Sequence, residues 1–190
     1  MVQGHLIVIS APSGTGKTTV IDRLLKHNPK LVRAVTCTTR AARPGEVDGH
    51  DYNFLTEEEF GAKVQANEFL EWATVHGNRY GTLRKTCMDL LDQGSDVVLN
   101  IDVQGALSVK KLYPQAVLVF LCPPSLDILE ERLRGRGTNT DSDIAQRIQD
   151  AHFELSMKNR YDYEVVNDDL LDAVKRLEVL IAALPPQGKE

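Results

Sequence analysis

Two rhythms of apolar residues run along this chain. Leu6–Ser10, Val97–Ile101, Ala116–Leu121 and Glu164–Val166 are short runs, nearly continuous in apolar character and rich in β-branched residues. That is the pattern of strands covered on both faces, as in a parallel sheet. Between them lie longer amphipathic stretches with helical spacing. They run from about Lys17 to His27, Leu83 to Gln93, Ser125 to Arg134, Asp141 to Asn159 and Leu170 to Ala183. Ser125 and Asp141 are residue types suited to capping a helix N-terminus. Strand–helix alternation of this kind predicts an α/β fold with right-handed crossovers.

The stretch from about Val35 to Tyr80 breaks the alternation. Arg-Pro-Gly, Asp-Gly and Asn-Arg turn signals sit there among aromatic residues. Thr56-Glu57-Glu58-Glu59 has the form of a capping box and opens one short helix. The stretch reads as an inserted mixed β/α subdomain over one end of the sheet, a place where inserted segments carry specificity. The tail from Pro185 to Glu190 is expected to fray.

A length of 190 residues suits one domain with small insertions acting as lids. Hydrophobic residues make up 42% and charged residues 26%, as in an ordinary soluble globular protein. No apolar run is long enough for a membrane span. The N-terminal MVQGHLIVIS lacks a basic leader and reads as a first strand. Cys37, Cys87 and Cys122 form an odd, scattered set without metal-ligand spacing. Reduced thiols in a cytoplasmic protein are therefore expected. A net charge of −5 disfavours broad nucleic-acid binding. The arginines nevertheless gather, Arg40 with Arg43 and Arg132 with Arg134 and Arg136. Guanidinium groups concentrated in an acidic chain point to small, highly charged anions. The composition leaves a homo-oligomer open.

The strongest local signal is Ala11-Pro12-Ser13-Gly14-Thr15-Gly16-Lys17-Thr18, between a predicted strand and a predicted helix. That context is the one a P-loop requires. Gly14 and Gly16 let the backbone wrap so that successive N–H groups point at phosphate oxygens. The helix N-terminus adds positive partial charge. Lys17 is placed to reach the β- and γ-phosphates, and the Thr18 hydroxyl to hold Mg²⁺. Ala11 stands where such loops usually begin with glycine, which would matter if φ had to be positive there. Taken alone, the loop fits a GTPase or an ATPase motor equally well.

Residues 36–54 read Thr-Cys-Thr-Thr-Arg-Ala-Ala-Arg-Pro-Gly-Glu-Val-Asp-Gly-His-Asp-Tyr-Asn-Phe. Glu68-Phe69-Leu70-Glu71-Trp72-Ala73, Gly77-Asn78-Arg79-Tyr80-Gly81-Thr82, Ile101-Asp102-Val103-Gln104-Gly105, Arg132-Leu133-Arg134-Gly135-Arg136-Gly137 and Asn167-Asp168-Asp169 follow in order. Together these segments resemble the guanylate kinase family, and the resemblance runs from about residue 5 to about residue 183. It implies a P-loop three-layer α/β/α parallel-sheet core with an inserted mixed β/α GMP-binding subdomain and a helical lid. The expected division is a core at about 1–34, 83–124 and 160–184, a GMP-binding subdomain at about 35–82 and a lid at about 125–159. The implied activity is transfer of the γ-phosphate of ATP to GMP, with Mg²⁺ accompanying ATP.

The chemistry of the residues fits that implication. Arg40 and Arg43 can fork onto the oxygens of a dianionic phosphate. Tyr52 and Tyr80 can donate hydroxyls to it without adding charge. Guanine offers N1–H and a 2-amino group side by side, and one carboxylate accepts both. Glu71 is the position the family uses. Adenine, with an unprotonated N1, would leave that carboxylate unpaired. Thr36 and Thr82 fall where the family places small hydroxyl residues near the base. Asp102, expected at the end of a core strand, is placed by the family close to GMP and is of a type that orients Mg²⁺ or its waters. Asn100 departs from the aspartate expected there.

On the donor side the resemblance assigns ATP to Ala11 through Thr19 and sets Asn167 near the adenine. Arg132 and Arg136 lie four apart on one helical face. With Arg147 they are expected to close onto the phosphates and exclude water. Lys17, Arg40, Asp102, Arg132, Arg136 and Arg147 are thus the candidate catalytic residues. No general base is needed, because a nucleotide phosphate is already ionised. Two rivals stand beside this reading. One is a guanylate kinase-like module that has lost catalysis and holds a phosphopeptide. The other is a P-loop kinase with another acceptor, such as AMP, dGMP alone or a phosphorylated sugar.

Overall fold

The computed structural model describes residues 3–75, 77–135 and 140–187. A five-stranded, wholly parallel sheet forms its centre. The first strand, β1 (Leu6–Ser10), runs into helix α1 (Lys17–His27) and then β2 (Leu31–Arg33). Later come α3 (Arg84–Asp92), β7 (Asp96–Asn100), α4 (Val103–Leu112) and β8 (Val117–Cys122). The chain closes with α5 (Leu126–Arg134), α6 (Asp141–Ser156), a 3₁₀ turn (Lys158–Arg160), β9 (Tyr163–Val166) and α7 (Leu170–Ala182). The strand order is β2-β7-β1-β8-β9. Chain direction therefore switches sides at β1, and a parallel sheet opens a crevice at such a point, beyond the strand C-termini.

Alternation in the strands divides the core into two layers. Ile7 and Ile9 of β1 pack with Val20, Ile21 and Leu24 of α1 and Ala173, Val174 and Leu177 of α7. Leu6 and Val8 face the other way, onto Cys87 and Leu91 of α3 and Ala106 and Val109 of α4. All five residues of β1 are buried, which explains the unbroken apolar run in its sequence.

A second, four-stranded sheet of mixed direction occupies the stretch where the alternation fails. Its strands are β3 (Cys37–Thr38), β4 (Asn53–Phe54), β5 (Phe69–Val75) and β6 (Asn78–Leu83), in the order β4-β3-β6-β5. Helix α2 (Glu57–Gln65) packs on it through Phe60, which stacks on Phe69 at 4.5 Å and meets Trp72 edge-on. Its capping box is formed: Thr56 Oγ1 accepts from the Glu59 N–H, and Glu59 accepts from the Thr56 N–H. Helices α5 and α6 share a small cluster of their own, built on Leu129, Leu133, Ile144 and Ala151.

Several expectations need correction. Helix α6 is capped by Thr140, whose side chain accepts from the Asp143 N–H, and not by Asp141, which is the first helical residue. The same helix stops at Ser156, where the Met157 N–H turns to the Glu154 carbonyl and the chain tightens into the 3₁₀ turn. The tail is tied down through Gln187. Gln3 and Gln187 form an antiparallel bridge, and a His5 ring nitrogen meets the Pro185 carbonyl at 2.8 Å. Residues 188–190 lie outside the described residues. The three cysteines are free and buried. No helix among the described residues is long and apolar enough to cross a membrane.

Candidate active site

At the switch point β1 ends and the loop Ala11–Gly16 begins. Gly14 and Gly16 adopt φ of 95° and 92°, the left-handed region that L side chains avoid. Space adds a second constraint. A Cβ on Gly14 would lie 2.9 Å from the Leu133 side chain, and one on Gly16 would lie 2.9 Å from Asn167 Nδ2. Ala11 has no positive φ, so the missing first glycine costs this loop nothing. Gly16 precedes α1, whose first turn carries neither a capping side chain nor an acid. Its N–H groups and partial positive charge therefore face the cleft.

The loop is braced from behind. Asn167 Nδ2 donates to the Thr15 carbonyl at 2.6 Å, and Arg132 donates to the carbonyls of Asn167 and Thr15. Both side chains thus hold loop carbonyls. Arg147 reaches in from α6 and donates to Ser13 Oγ at 2.6 Å. Arg136 lies outside the described residues. Lys17 donates to the Ile101 carbonyl at 2.9 Å. Desolvation pulls its pKa down to about 8, with the charges of Asp102 and Glu154 opposing that shift.

Across from the loop, β5, β6 and Thr36, which precedes β3, supply a second wall. Pro12, Lys17, Thr18, Thr19, Thr36, Arg43, Tyr52, Glu71, Tyr80, Asp102 and Arg147 face one cleft of about 340 Å³. Glu71 is only 6% exposed, and Thr82, 1% exposed, donates to Glu71 Oε1 at 2.7 Å. Burial raises the Glu71 pKa to about 7; the Thr82 hydrogen bond pulls against this and the charge of Asp102 adds to it. Tyr52 and Tyr80 meet edge-on, with ring centroids 6.2 Å apart.

Two candidates sit differently from expectation. Arg40 does not line the cleft. Its Nη2 donates to both oxygens of Glu46 at 2.8 and 3.0 Å, and its guanidinium carbon lies 5.3 Å from the Tyr52 ring centre. Glu46 also accepts from the Arg43 N–H, so one carboxylate organises the loop that carries both arginines. Asp102 does not end a strand. Strand β7 stops at Asn100, and Asp102 caps α4, its Oδ1 accepting from the Gly105 N–H at 2.8 Å.

Sequence reasoning missed Glu154, which lines the same cleft from α6. Burial raises its pKa to about 7, and Lys17 opposes the shift. The signal was available: Glu154 lies seven residues after Arg147, two turns along the same helical face.

Oxygen donors suited to Mg²⁺ are present without a full protein cage. Thr18, Asn100 and Asp102 border the cleft. Among the described residues no group of three His, Cys, Asp or Glu is arranged to hold a metal ion. So few protein ligands fit an ion that takes most of its coordination from phosphates and water.

A phosphate-binding loop at the switch point of a five-stranded parallel sheet, facing a mixed sheet across a cleft, defines a P-loop nucleoside monophosphate kinase fold. Comparison with known proteins narrows this. The guanylate kinase family model matches residues 3–184. Guanylate kinase from Thermotoga maritima is 49% identical over 180 residues, covering 95% of this chain and 87% of that one. The Carboxydothermus hydrogenoformans guanylate kinase is 47% identical over 183 residues, covering 96% and 90%. The crystal structure of guanylate kinase from Anaplasma phagocytophilum superposes with a TM-score of 0.81 at 36% identity, covering 96% of this chain and 86% of that one. The chain belongs to the guanylate kinase family.

Proposed function

We propose that this protein transfers the γ-phosphate of ATP to GMP, and to dGMP, giving ADP and the nucleoside diphosphate. The observation that carries the acceptor half is Glu71, a carboxylate buried in the wall that faces the loop of Ala11–Gly16. A buried acceptor-only group with one oxygen already satisfied by Thr82 calls for a ligand with adjacent donors. The N1–H and 2-amino groups of guanine supply them. Thr36 completes the base pocket with Thr82. Arg43, Tyr52 and Tyr80, with Arg40 once it leaves Glu46, bind the GMP phosphate.

The donor half rests on the loop. Its backbone N–H groups and the start of α1 hold the ATP phosphates, with Ala11 through Thr19 as the contact segment and Asn167 near the adenine. Thr18 would hold Mg²⁺, with Asp102 orienting its waters; the ion would neutralise phosphate charge when bound. Lys17 moves from the Ile101 carbonyl onto the β- and γ-phosphates. Arg147, Arg132 and Arg136 neutralise charge on the moving group and help exclude water. We read the stretch at about 35–82 as the GMP-binding subdomain and that at about 125–159 as a lid, both moving on the core of about 1–34, 83–124 and 160–184. A phosphate acceptor is already ionised, so no side chain has to remove a proton.

The test is a panel of nucleoside monophosphates assayed with ATP and Mg²⁺ for ADP formation. GMP and dGMP should turn over, with AMP, CMP and UMP near background. AMP phosphorylated as well as GMP would overturn the role of Glu71. Absence of turnover with every acceptor would overturn the phosphoryl-transfer reading.

A further inference from the structure

Helix α4 carries a glycine that its backbone does not require. Gly105 is the third residue of the helix, buried, and without a positive φ. Glycine is the poorest helix former short of proline, so a helical glycine needs a reason in packing. Here the reason lies across the cleft wall. A Cβ built on Gly105 would stand 2.7 Å from Glu71 Oε2 and 3.3 Å from the Ile101 side chain. The carboxylate has little room to retreat. Its other oxygen is held by Thr82 at 2.7 Å, and Glu71 pairs directly opposite Thr82 on β6, just past a register shift between Phe69 and Glu71. A methyl group at position 105 must turn the carboxylate away from Thr82 or push α4 off β5.

We propose that Gly105 is a specificity-positioning residue: its missing side chain is the seat that holds the Glu71 carboxylate at the depth and angle needed to read guanine. Alanine at 105 keeps the N–H that donates to Asp102 Oδ1, so the helix cap survives and only the seat is filled. The proposal rests on the reading of Glu71 as the guanine carboxylate.

The experiment is a double-mutant cycle of Gly105→Ala and Glu71→Ala, read by thermal midpoint and by the ratio of kcat/KM for GMP over IMP, which lacks the 2-amino group. In the native background Gly105→Ala should raise KM for GMP by about tenfold or more, leave kcat within a few-fold and leave ATP affinity unchanged. The GMP-over-IMP ratio should fall toward one. In the Glu71→Ala background the same substitution should instead raise the midpoint, by about 2–4 °C, as alanine normally does over glycine in a helix. If Gly105→Ala alone does not fold, folding of the double variant supports the seat. Failure of the double variant as well overturns it. An equal rise in midpoint in both backgrounds with an unchanged GMP-over-IMP ratio also overturns it. If the unmodified protein does not distinguish GMP from IMP, the reading of Glu71 fails, and the thermal cycle alone still decides whether Gly105 seats that carboxylate.

Discussion

Between Ala11 and Gly16 the chain presents backbone to the cleft; between Thr36 and Thr82 it presents side chains. The first region offers two left-handed glycines, the start of α1 and one lysine, all within eight residues. The second assembles Glu71 and Tyr80 from two strands of a small mixed sheet with Thr36, Arg43 and Tyr52 from the segments beside its other strands. The difference matches what we propose each region recognises. A polyphosphate is read well by N–H groups that every residue carries. A purine edge needs one carboxylate at one depth, which only folded packing provides. The loop is also braced by Asn167 and Arg132. In the second region Arg40 is tied to Glu46.

Breaking the two regions one at a time sharpens this contrast. Lys17→Ala should cut turnover about 10³-fold by removing charge from the moving phosphoryl group. GMP binding, followed by calorimetry, should persist. Loss of GMP binding as well would mean that the regions are not separable. Glu71→Gln should lower kcat/KM for GMP about 10²-fold, because the amide places a donor against guanine donors, while ATP affinity holds.

Acid should divide the regions too. The Glu71 carboxyl is raised to about 7 by burial, so it is uncharged in the free protein at lower pH. The kcat/KM for GMP should fall toward tenfold per unit below that value. Stability must move the other way. The folded carboxyl binds its proton more tightly than the unfolded one, with a usual value of 4.5, so the folded state holds more protons across the window from 4.5 to about 7. Its contribution is complete below that window and is lost as pH rises through it. Relative to Glu71→Gln, the unmodified protein should therefore lose thermal stability from pH 5 to pH 8, by as much as roughly 3 kcal/mol. A flat difference would place Glu71 in a wetter site. The smallest effect is expected for Glu46→Ala. It should lower the midpoint by about 2–4 °C, since a partly buried ion pair, its side chains 14% and 20% exposed, is worth about 1 kcal/mol. A larger drop would mean that the Arg40 loop is part of the folding core.

The same contrast explains what could be read from the sequence. Strand β1, the loop and α1 follow from a continuous apolar run, two glycines and an amphipathic stretch, because backbone recognition is local. The two-residue strands β3 and β4 were invisible, since such pieces exist only through their neighbours. Helix α4 is hard to see in the sequence because Gly105 stands in its first turn and Asp102 offers a charge as readily as a cap. The residues proposed to hold GMP are legible through family likeness and chemistry. Their burial, the tether of Arg40 to Glu46 and the bracing by Arg132 depend on contacts between residues tens of positions apart, which spacing along the chain does not encode.

One neighbour of Glu71 has a practical consequence. Trp72 is the sole tryptophan of the chain; it stands 46% exposed, beside Glu71 on β5, with its ring edge-on to Phe60. Every photon of indole emission therefore comes from the small mixed sheet and none from the phosphate loop. Excitation at the red edge of the indole band gives an intrinsic optical reporter of that sheet, with no dye attached. Filling of the acceptor wall should shift or quench its fluorescence, and occupation of the loop alone should leave it nearly still.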